Sequence, residues 1–125
     1  MESYSDIVLD YAENPRNVGP LANANALGYQ VNPVCGDTLV LMLRVEDERI
    51  AEAKFQTEGC TASVATSSRF TELITGKSLA EAETITHQEV TAAMGGLPAS
   101  KLHSAALVVG ALRQAIAAYR KAATT

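Results

Sequence analysis

The apolar residues of this chain recur with two different periods, one after the other, and that order limits the fold more than any single motif does. Across residues 27–57 the period is two. Tyr29 and Val31, then Leu39, Leu41, Leu43 and Val45, then Ala51, Ala53 and Phe55 alternate with more polar neighbours, and Asp47-Glu48 marks a tight reversal. This predicts a three-stranded antiparallel meander. Beyond Cys60 a helical period takes over. A Ser/Thr-rich segment over residues 61–75, closed by Gly76, predicts one helix, and Ser78-x-x-Glu81 and Thr86-x-x-Glu89 open two short ones. In the last helix Leu102, Ala105, Val109, Leu112, Ile116 and Tyr119 fall at steps of three and four, a stripe expected to lie on the sheet.

Ahead of the strands, Ser3-Tyr4-Ser5-Asp6 has the capping-box form with Ser3 as the expected cap. Tyr4, Ile7, Val8 and Tyr11 then share a helical face, and Asn14-Pro15 ends that helix. Residues 16–26, with Gly19-Pro20 and three asparagines, read as a loop. Strands followed by helices give an α+β fold whose helices cover one sheet face.

With 125 residues, no internal repeat and no linker-like stretch, residues 1–125 are expected to form a single domain. A chain that is 47% hydrophobic and 19% charged is neither a disordered tail nor a collagen-like repeat. Its longest strongly apolar stretch, residues 105–112, is far short of the roughly 20 residues that span a bilayer, so no membrane association is expected. Met1-Glu2-Ser3 lacks a basic signal-peptide region, and a cytoplasmic location follows as the expectation. The net charge of −4 comes without any basic cluster, which argues against nucleic acid as a partner.

Several motifs carry no chemistry. Gly76-Lys77-Ser78 imitates the end of a phosphate-binding loop, but Thr71 stands where that loop needs its first glycine, so a helix end followed by a helix start explains it better. His87 reads as a solvated residue at a helix start, and no G-x-S-x-G elbow for serine hydrolysis occurs. Three places are more informative. Pro33-Val34-Cys35-Gly36-Asp37 sets a thiol and a carboxylate two residues apart where the first two strands join. Cys60 follows Gly59 at the end of the third strand and precedes a helix, whose amides and macrodipole favour thiolate. His103, near the start of the last helix, points to the flank of the buried stripe and within reach of a cleft. Spacing alone leaves two readings open: a shared metal site, or two buried cysteines and a surface histidine with nothing in common.

Taken together these residues resemble the iron-sulfur cluster scaffold family known as IscU or the NifU N-terminal domain. The likeness runs through Tyr4-Ser5, residues 13–19 (Glu-Asn-Pro-Arg-Asn-Val-Gly), Pro33-Val34-Cys35-Gly36-Asp37, Phe55-Gln56-Thr57-Glu58-Gly59-Cys60, Gly76-Lys77-Ser78-Leu79, Leu97-Pro98 and Lys101-Leu102-His103. It implies a small antiparallel sheet packed with helices, and ligands gathered at one end. It also implies a scaffold that builds a [2Fe-2S] cluster from iron and the sulfur of a cysteine desulfurase, passes it to recipient apo-proteins, and is not itself an enzyme. The ligand or ligand-neighbour positions carry over to Cys35, Asp37, Cys60 and His103.

There are two departures. Ser104 stands where members usually have a third cysteine, a common sulfur acceptor, and serine neither ionises readily nor carries a persulfide. Leu97-Pro98-Ala99-Ser100-Lys101 lacks the second proline and the valine of the segment that binds a dedicated Hsp70-type chaperone, so that partner is not expected. The family reading includes a homodimer around a shared cluster. The alternative is a zinc-bound sulfur-transfer adaptor or desulfurase regulator, since two cysteines, an aspartate and a histidine complete a tetrahedral zinc site.

Overall fold

The computed structural model describes residues 3–33 and 35–123; Met1 and Glu2, Val34 of the Cys35 motif, and Thr124 and Thr125 lie outside the described residues. Helix α1 (Asp6–Glu13) is followed by strands β1 (Ala26–Val31), β2 (Thr38–Glu46) and β3 (Arg49–Glu58). Helices α2 (Thr61–Ile74), α3 (Leu79–Glu83), α4 (His87–Ala93) and α5 (His103–Ala123) complete the order. The sheet is an antiparallel meander in the order β1-β2-β3, and α5 and α2 cover one face of it. The α+β expectation, with its long C-terminal helix, matches this architecture. Among the described residues no helix is long and apolar enough to cross a membrane.

In β2 the period of two works as read: Leu39, Leu41, Leu43 and Val45 are buried and meet Leu112, Ile116 and Val109 of α5 in one core with Phe55, Phe70 and Ile74. The reversal at Asp47-Glu48 is a two-residue turn with positive φ at both positions, the twist that suits a tight hairpin. Ser78 and Thr86 cap α3 and α4, each with its capping box complete.

Four details differ from the sequence reading. In β1 the core face is Ala26 and Gly28, while Leu27, Tyr29 and Val31 are exposed on the other side. Gly28 decides this, because a Cβ there would stand 1.9 Å from the Ala111 carbonyl oxygen of α5, and only glycine lets the helix backbone approach so closely. In β3 the register shifts beside Arg44 and Val45, which pair with Glu52 and Ile50, so Ile50 rather than Ala51 faces the core. The cap of α1 is Ser5, whose hydroxyl accepts from the Val8 amide and donates to the Met94 carbonyl; Ser3 precedes the helix. Leu102 precedes α5 and is 47% exposed, outside the stripe it was expected to begin.

The outer edge of β3 is covered, and that of β1 is met at Tyr29. The β3 edge is closed by the loop and by the α2–α3 link: Gly19 N–H donates to Phe55 O (2.9 Å), Phe55 N–H to Asn17 O (3.0 Å), and Ile50 N–H to Lys77 O (2.9 Å). On β1 the Tyr29 amide donates to Gln114 Oε1 of α5 at 2.9 Å. Along β3 the covered edge leaves no template for pairing with another chain.

Candidate metal centre

The four residues singled out in the sequence come from three junctions at one end of the sheet. Cys35 and Asp37 sit in the β1–β2 connection, which closes on itself through Asn32 N–H to Asp37 O and Gly36 N–H to Asn32 O, both 2.8 Å. Gly36 has φ +79°, a conformation that L side chains resist, and the turn it makes lets the residues on either side face one point. Cys60 is the N-cap residue of α2, placed by the end of β3. His103 is the first residue of α5, reached through a 3-10 turn at Ala99–Lys101.

Asp37 is the hub. Its carboxylate is 6% exposed, and one oxygen, Oδ2, takes every contact with a measured distance: Ser63 Oγ donates to it at 2.5 Å, His103 Nε2 lies at 3.3 Å and Cys60 Sγ at 3.7 Å. Burial raises the carboxyl pKa, but the hydrogen bond from Ser63, then those from His103, Cys35 and Cys60, outweigh it and hold Asp37 below the usual carboxylate value. It is therefore an anion ringed by donors. His103 Nε2 also lies 3.6 Å from Cys35 Sγ, so that one nitrogen is shared between the thiol and the carboxylate.

Cys35 Sγ, a carboxylate oxygen of Asp37 and a ring nitrogen of His103 all lie within 4.8 Å of one another, an arrangement of donors that fits around a metal ion. Cys60 is not among these three and touches the site through Asp37 Oδ2, 3.7 Å from its Sγ. Cys35 is exposed and Cys60 half-buried, and both are free thiols. Sulfur, nitrogen and oxygen donors together suit iron or zinc better than magnesium or calcium, which take oxygen. The cluster is at the surface, where a bound ion could be reached by another protein.

Ser63 was missed by the sequence reading. It follows Cys60 by three residues, so both lie on one face of the first turn of α2, and that spacing was the available signal. Its neighbour Ser104 is the other correction. Position 104 is not part of the stripe of three- and four-residue steps, yet Ser104 is 1% exposed, with its Oγ 3.4 Å from Ser63 Oγ. Helix α5 is flanked by α2 as well as by the sheet, so its buried arc is wider than one stripe and also takes in Leu107, Val108 and Ala111. Ser104 stands behind Asp37, as the far member of a hydroxyl pair.

Gly59 makes this packing feasible, since a Cβ there would come within 2.9 Å of Asp37 Cγ and 3.0 Å of Ser63 Cβ. The segment over residues 13–19 serves the same helix from its other end. Arg16 N–H donates to Ser68 Oγ at 2.6 Å, and Asn17 Nδ2 donates to Thr71 Oγ1 at 3.0 Å.

Comparison with known proteins gives a consistent picture. Residues 3–125 match the family model described as NifU-like N terminal domain. The chain is 49% identical over 116 residues to the iron-sulfur cluster assembly scaffold protein IscU 1 of Archaeoglobus fulgidus, covering 93% of this chain and 76% of that one. It is 41% identical over 122 residues to the iron-sulfur cluster assembly scaffold protein IscU of Escherichia coli K12, covering 94% of each. The crystal structure of a nitrogen-fixing NifU-like protein (N-terminal) from Brucella abortus superimposes with a TM-score of 0.73 over 94% of both chains; at 17% identity this likeness is one of fold.

Proposed function

The chain belongs to the NifU-like N terminal domain family, and from that premise we propose that it is a scaffold or transient carrier for iron-sulfur cluster assembly. Iron and sulfur are its cargo, joined as a [2Fe-2S] cluster at Cys35, Asp37, Cys60 and His103 and then passed to apo-proteins. The observation that carries this reading is the convergence of Cys35, Asp37 and His103 donor atoms within 4.8 Å at an accessible end of the sheet. Asp37 supplies the lability a carrier needs. A carboxylate is harder than a thiolate and holds iron in a sulfide cluster less firmly, so it is the ligand a recipient displaces first.

The same oxygen is already bonded before any metal arrives. Ser63 stays on one lone pair of Oδ2 while iron replaces the thiol and imidazole protons on the other side, so loading releases protons. On this reading the protein holds and hands over rather than turning over a substrate. Its partners are a cysteine desulfurase that supplies sulfur, the recipient apo-proteins, and a second copy of itself where a cluster is shared.

The test is anaerobic reconstitution with ferrous iron and sulfide, followed by metal and acid-labile sulfide analysis and a visible spectrum. The expected result is labile sulfide with visible charge-transfer absorption, lost in Cys35→Ala and Cys60→Ala. Stoichiometric zinc without sulfide would replace this reading with the zinc-bound sulfur-transfer adaptor, for which the two-sulfur, one-nitrogen, one-oxygen donor set is also complete. No bound metal of either kind would overturn both.

A further inference from the structure

Hydroxyls toward the C-terminal end of α2 take the bond that a helix offers by default, to a carbonyl three or four residues back: Thr71 Oγ1 donates to Ser68 O and Thr75 Oγ1 to Thr71 O, both at 2.6 Å. Ser63, in the first turn, has the same local choice in the carbonyls of Gly59 and Cys60, but its Oγ donates to Asp37 Oδ2 at 2.5 Å instead. An ionised carboxylate can only accept, so the single Ser63 hydroxyl proton is committed to that bond. Any further hydrogen bond at Ser63 Oγ must therefore be donated to it. Two groups are in place, Cys60 Sγ at 3.6 Å and Ser104 Oγ at 3.4 Å. A thiol is a weak donor, so the Ser104 hydroxyl is the stronger of the two. Ser104 is 1% exposed, a burial at which a hydroxyl needs a partner, and Ser63 Oγ is the partner at a measured distance. The bonds thus run one way, from Ser104 on α5 to Ser63 on α2 to Asp37 in the β1–β2 connection.

We propose that Ser104 is a positioning residue of the metal centre, which holds the Ser63 hydroxyl on Asp37 and so fixes the orientation in which the carboxylate meets a metal; the inference rests on the metal centre of the scaffold reading. Residue 104 then serves the site without touching the metal. By donating to the Ser63 oxygen, Ser104 strengthens the bond that Ser63 donates in turn, since hydrogen bonds in a chain polarise one another. It also ties the Ser63 side chain to the rotamer that faces Asp37. Released from Ser104, the Ser63 hydroxyl is free to swing to a carbonyl of its own helix, as Thr71 and Thr75 do, and Asp37 then loses the shortest of its measured contacts. A carboxylate without a fixed orientation binds a metal less tightly, because the ordering has to be done when the metal arrives. The contact between the two hydroxyls is long, so Ser104 passes on only part of the effect that Ser63 exerts directly.

The experiment is a double-mutant cycle of the parent, Ser63→Ala, Ser104→Ala and the two together, with zinc affinity measured by competition with a chromophoric chelator and the urea midpoint of each metal-free chain measured alongside. Ser104→Ala is expected to lower zinc affinity about fivefold, less than Ser63→Ala because it acts through one further bond. In the Ser63→Ala background the same substitution should change affinity by less than about twofold, the mark of two residues that act in series. Ser104→Thr, which keeps the hydroxyl, is expected to bind zinc within about twofold of the parent even where its extra methyl lowers the urea midpoint. A Ser104 that only packed α5, that acted through the adjacent His103, or that bound the metal itself would lose affinity equally in both backgrounds, and that result overturns the proposal. So does a Ser104→Ala chain that binds zinc as tightly as the parent, or a Ser104→Thr chain that binds it as weakly as Ser104→Ala. The parent tests the premise separately. A parent that takes up neither zinc nor an iron-sulfur cluster removes the metal centre itself, whereas a parent that binds zinc no better than Ser104→Ala sinks this inference alone.

Discussion

Helices α5 and α2 lie on the same face of the same sheet, yet they are held there by different chemistry. Helix α5 meets β1 and β2 through Ala105, Val109, Ala111, Leu112, Ala115 and Ile116, and its backbone comes close enough at Ala111 that β1 must have glycine opposite. Helix α2 buries Phe70 and Ile74, but beside them it buries Ser63, Thr66, Ser67, Ser68 and Thr71. Apolar packing is non-directional and tolerates any partner of the right shape, whereas a buried hydroxyl must find a specific acceptor or donor. The difference teaches a division of labour. One helix fixes the sheet, and the other spends part of its buried face on aiming polar groups, with Ser63 at Asp37, Ser68 at the Arg16 backbone and Thr71 at Asn17.

The strongest way to break this comparison is to attack the close approach that α5 requires. Gly28→Ala puts a methyl 1.9 Å from a backbone oxygen that no side-chain rotation can move, so the helix must lift off the sheet. A loss of about 3 kcal/mol or more is expected from urea unfolding. A loss below about 1 kcal/mol would mean that α5 floats on the sheet and is not the rigid member of the pair.

Changes beside α2 should be smaller in stability and larger in binding. Gly59→Ala presses on Asp37 Cγ and Ser63 Cβ, side-chain atoms that can yield, so about 1–3 kcal/mol is expected. The carboxylate should be displaced with them, and zinc or cobalt affinity, measured by competition with a chromophoric chelator, should drop about tenfold or more, the scale on which outer partners of metal ligands act. Ser63→Ala is expected to show the same loss of affinity without the steric strain, and Ser63→Thr to restore part of it. Unchanged affinity in both alanine variants would separate α2 from the site.

Acid sharpens the contrast further. Asp37 is held below its ordinary pKa in the folded chain, so its contribution to stability is fully present above the unfolded value of about 4 and is lost as the pH falls through the lower folded value. In the metal-free protein, the stability lost between about pH 4 and pH 2.5 should therefore be smaller in Asp37→Asn than in the parent. Hydrogen exchange in the first turn of α2 should accelerate in acid before exchange in the middle of α5, whose buried positions carry no titratable side chain. Parallel acid profiles for parent and variant would show that the ring of donors does not hold the charge as the geometry indicates.

The same contrast explains what could be read in the sequence. The period of two in β2 and the capping boxes at Ser78 and Thr86 were legible because each is a local pattern with a local cause. Cys35, Cys60 and His103 stand out in the sequence because thiols and imidazoles are scarce, with two cysteines and two histidines in the chain, and Asp37 stands out by its spacing from Cys35; the structure gathers Cys35, Asp37 and His103. What was not legible depends on neighbours distant in sequence. The core face of β1 is set by a glycine that fits a helix more than eighty residues away, so its larger residues, Leu27, Tyr29 and Val31, face outward against the simple rule. Ser63 and Ser104 are two serines among many until α2 and α5 are side by side, and then they stand in line behind Asp37. A helix rich in hydroxyls does not announce which of them has a partner.

That last point yields the smallest expected effect and the finest test. Among the described residues Thr66 Oγ1 and Ser67 Oγ are buried without a hydrogen-bond partner, on the same helix where Ser63, Ser68 and Thr71 are bonded. Thr66→Val keeps the branched shape and the volume and replaces the hydroxyl by a methyl, and the helix preferences of the two residues are close. Because the hydroxyl loses its water on folding and gains nothing in return, its removal should leave stability unchanged or raise it by up to about 1 kcal/mol. Ser63→Ala, which strips a donor from a buried carboxylate, should lower it. Two hydroxyl deletions one turn apart are thus expected to differ in sign, measured as opposite shifts of the urea midpoint at a common slope. If Thr66→Val instead costs more than about 1 kcal/mol, an ordered water bonds Thr66 in solution. The buried hydroxyls of α2 would then form one satisfied polar layer, as directional along its whole length as it is at Asp37.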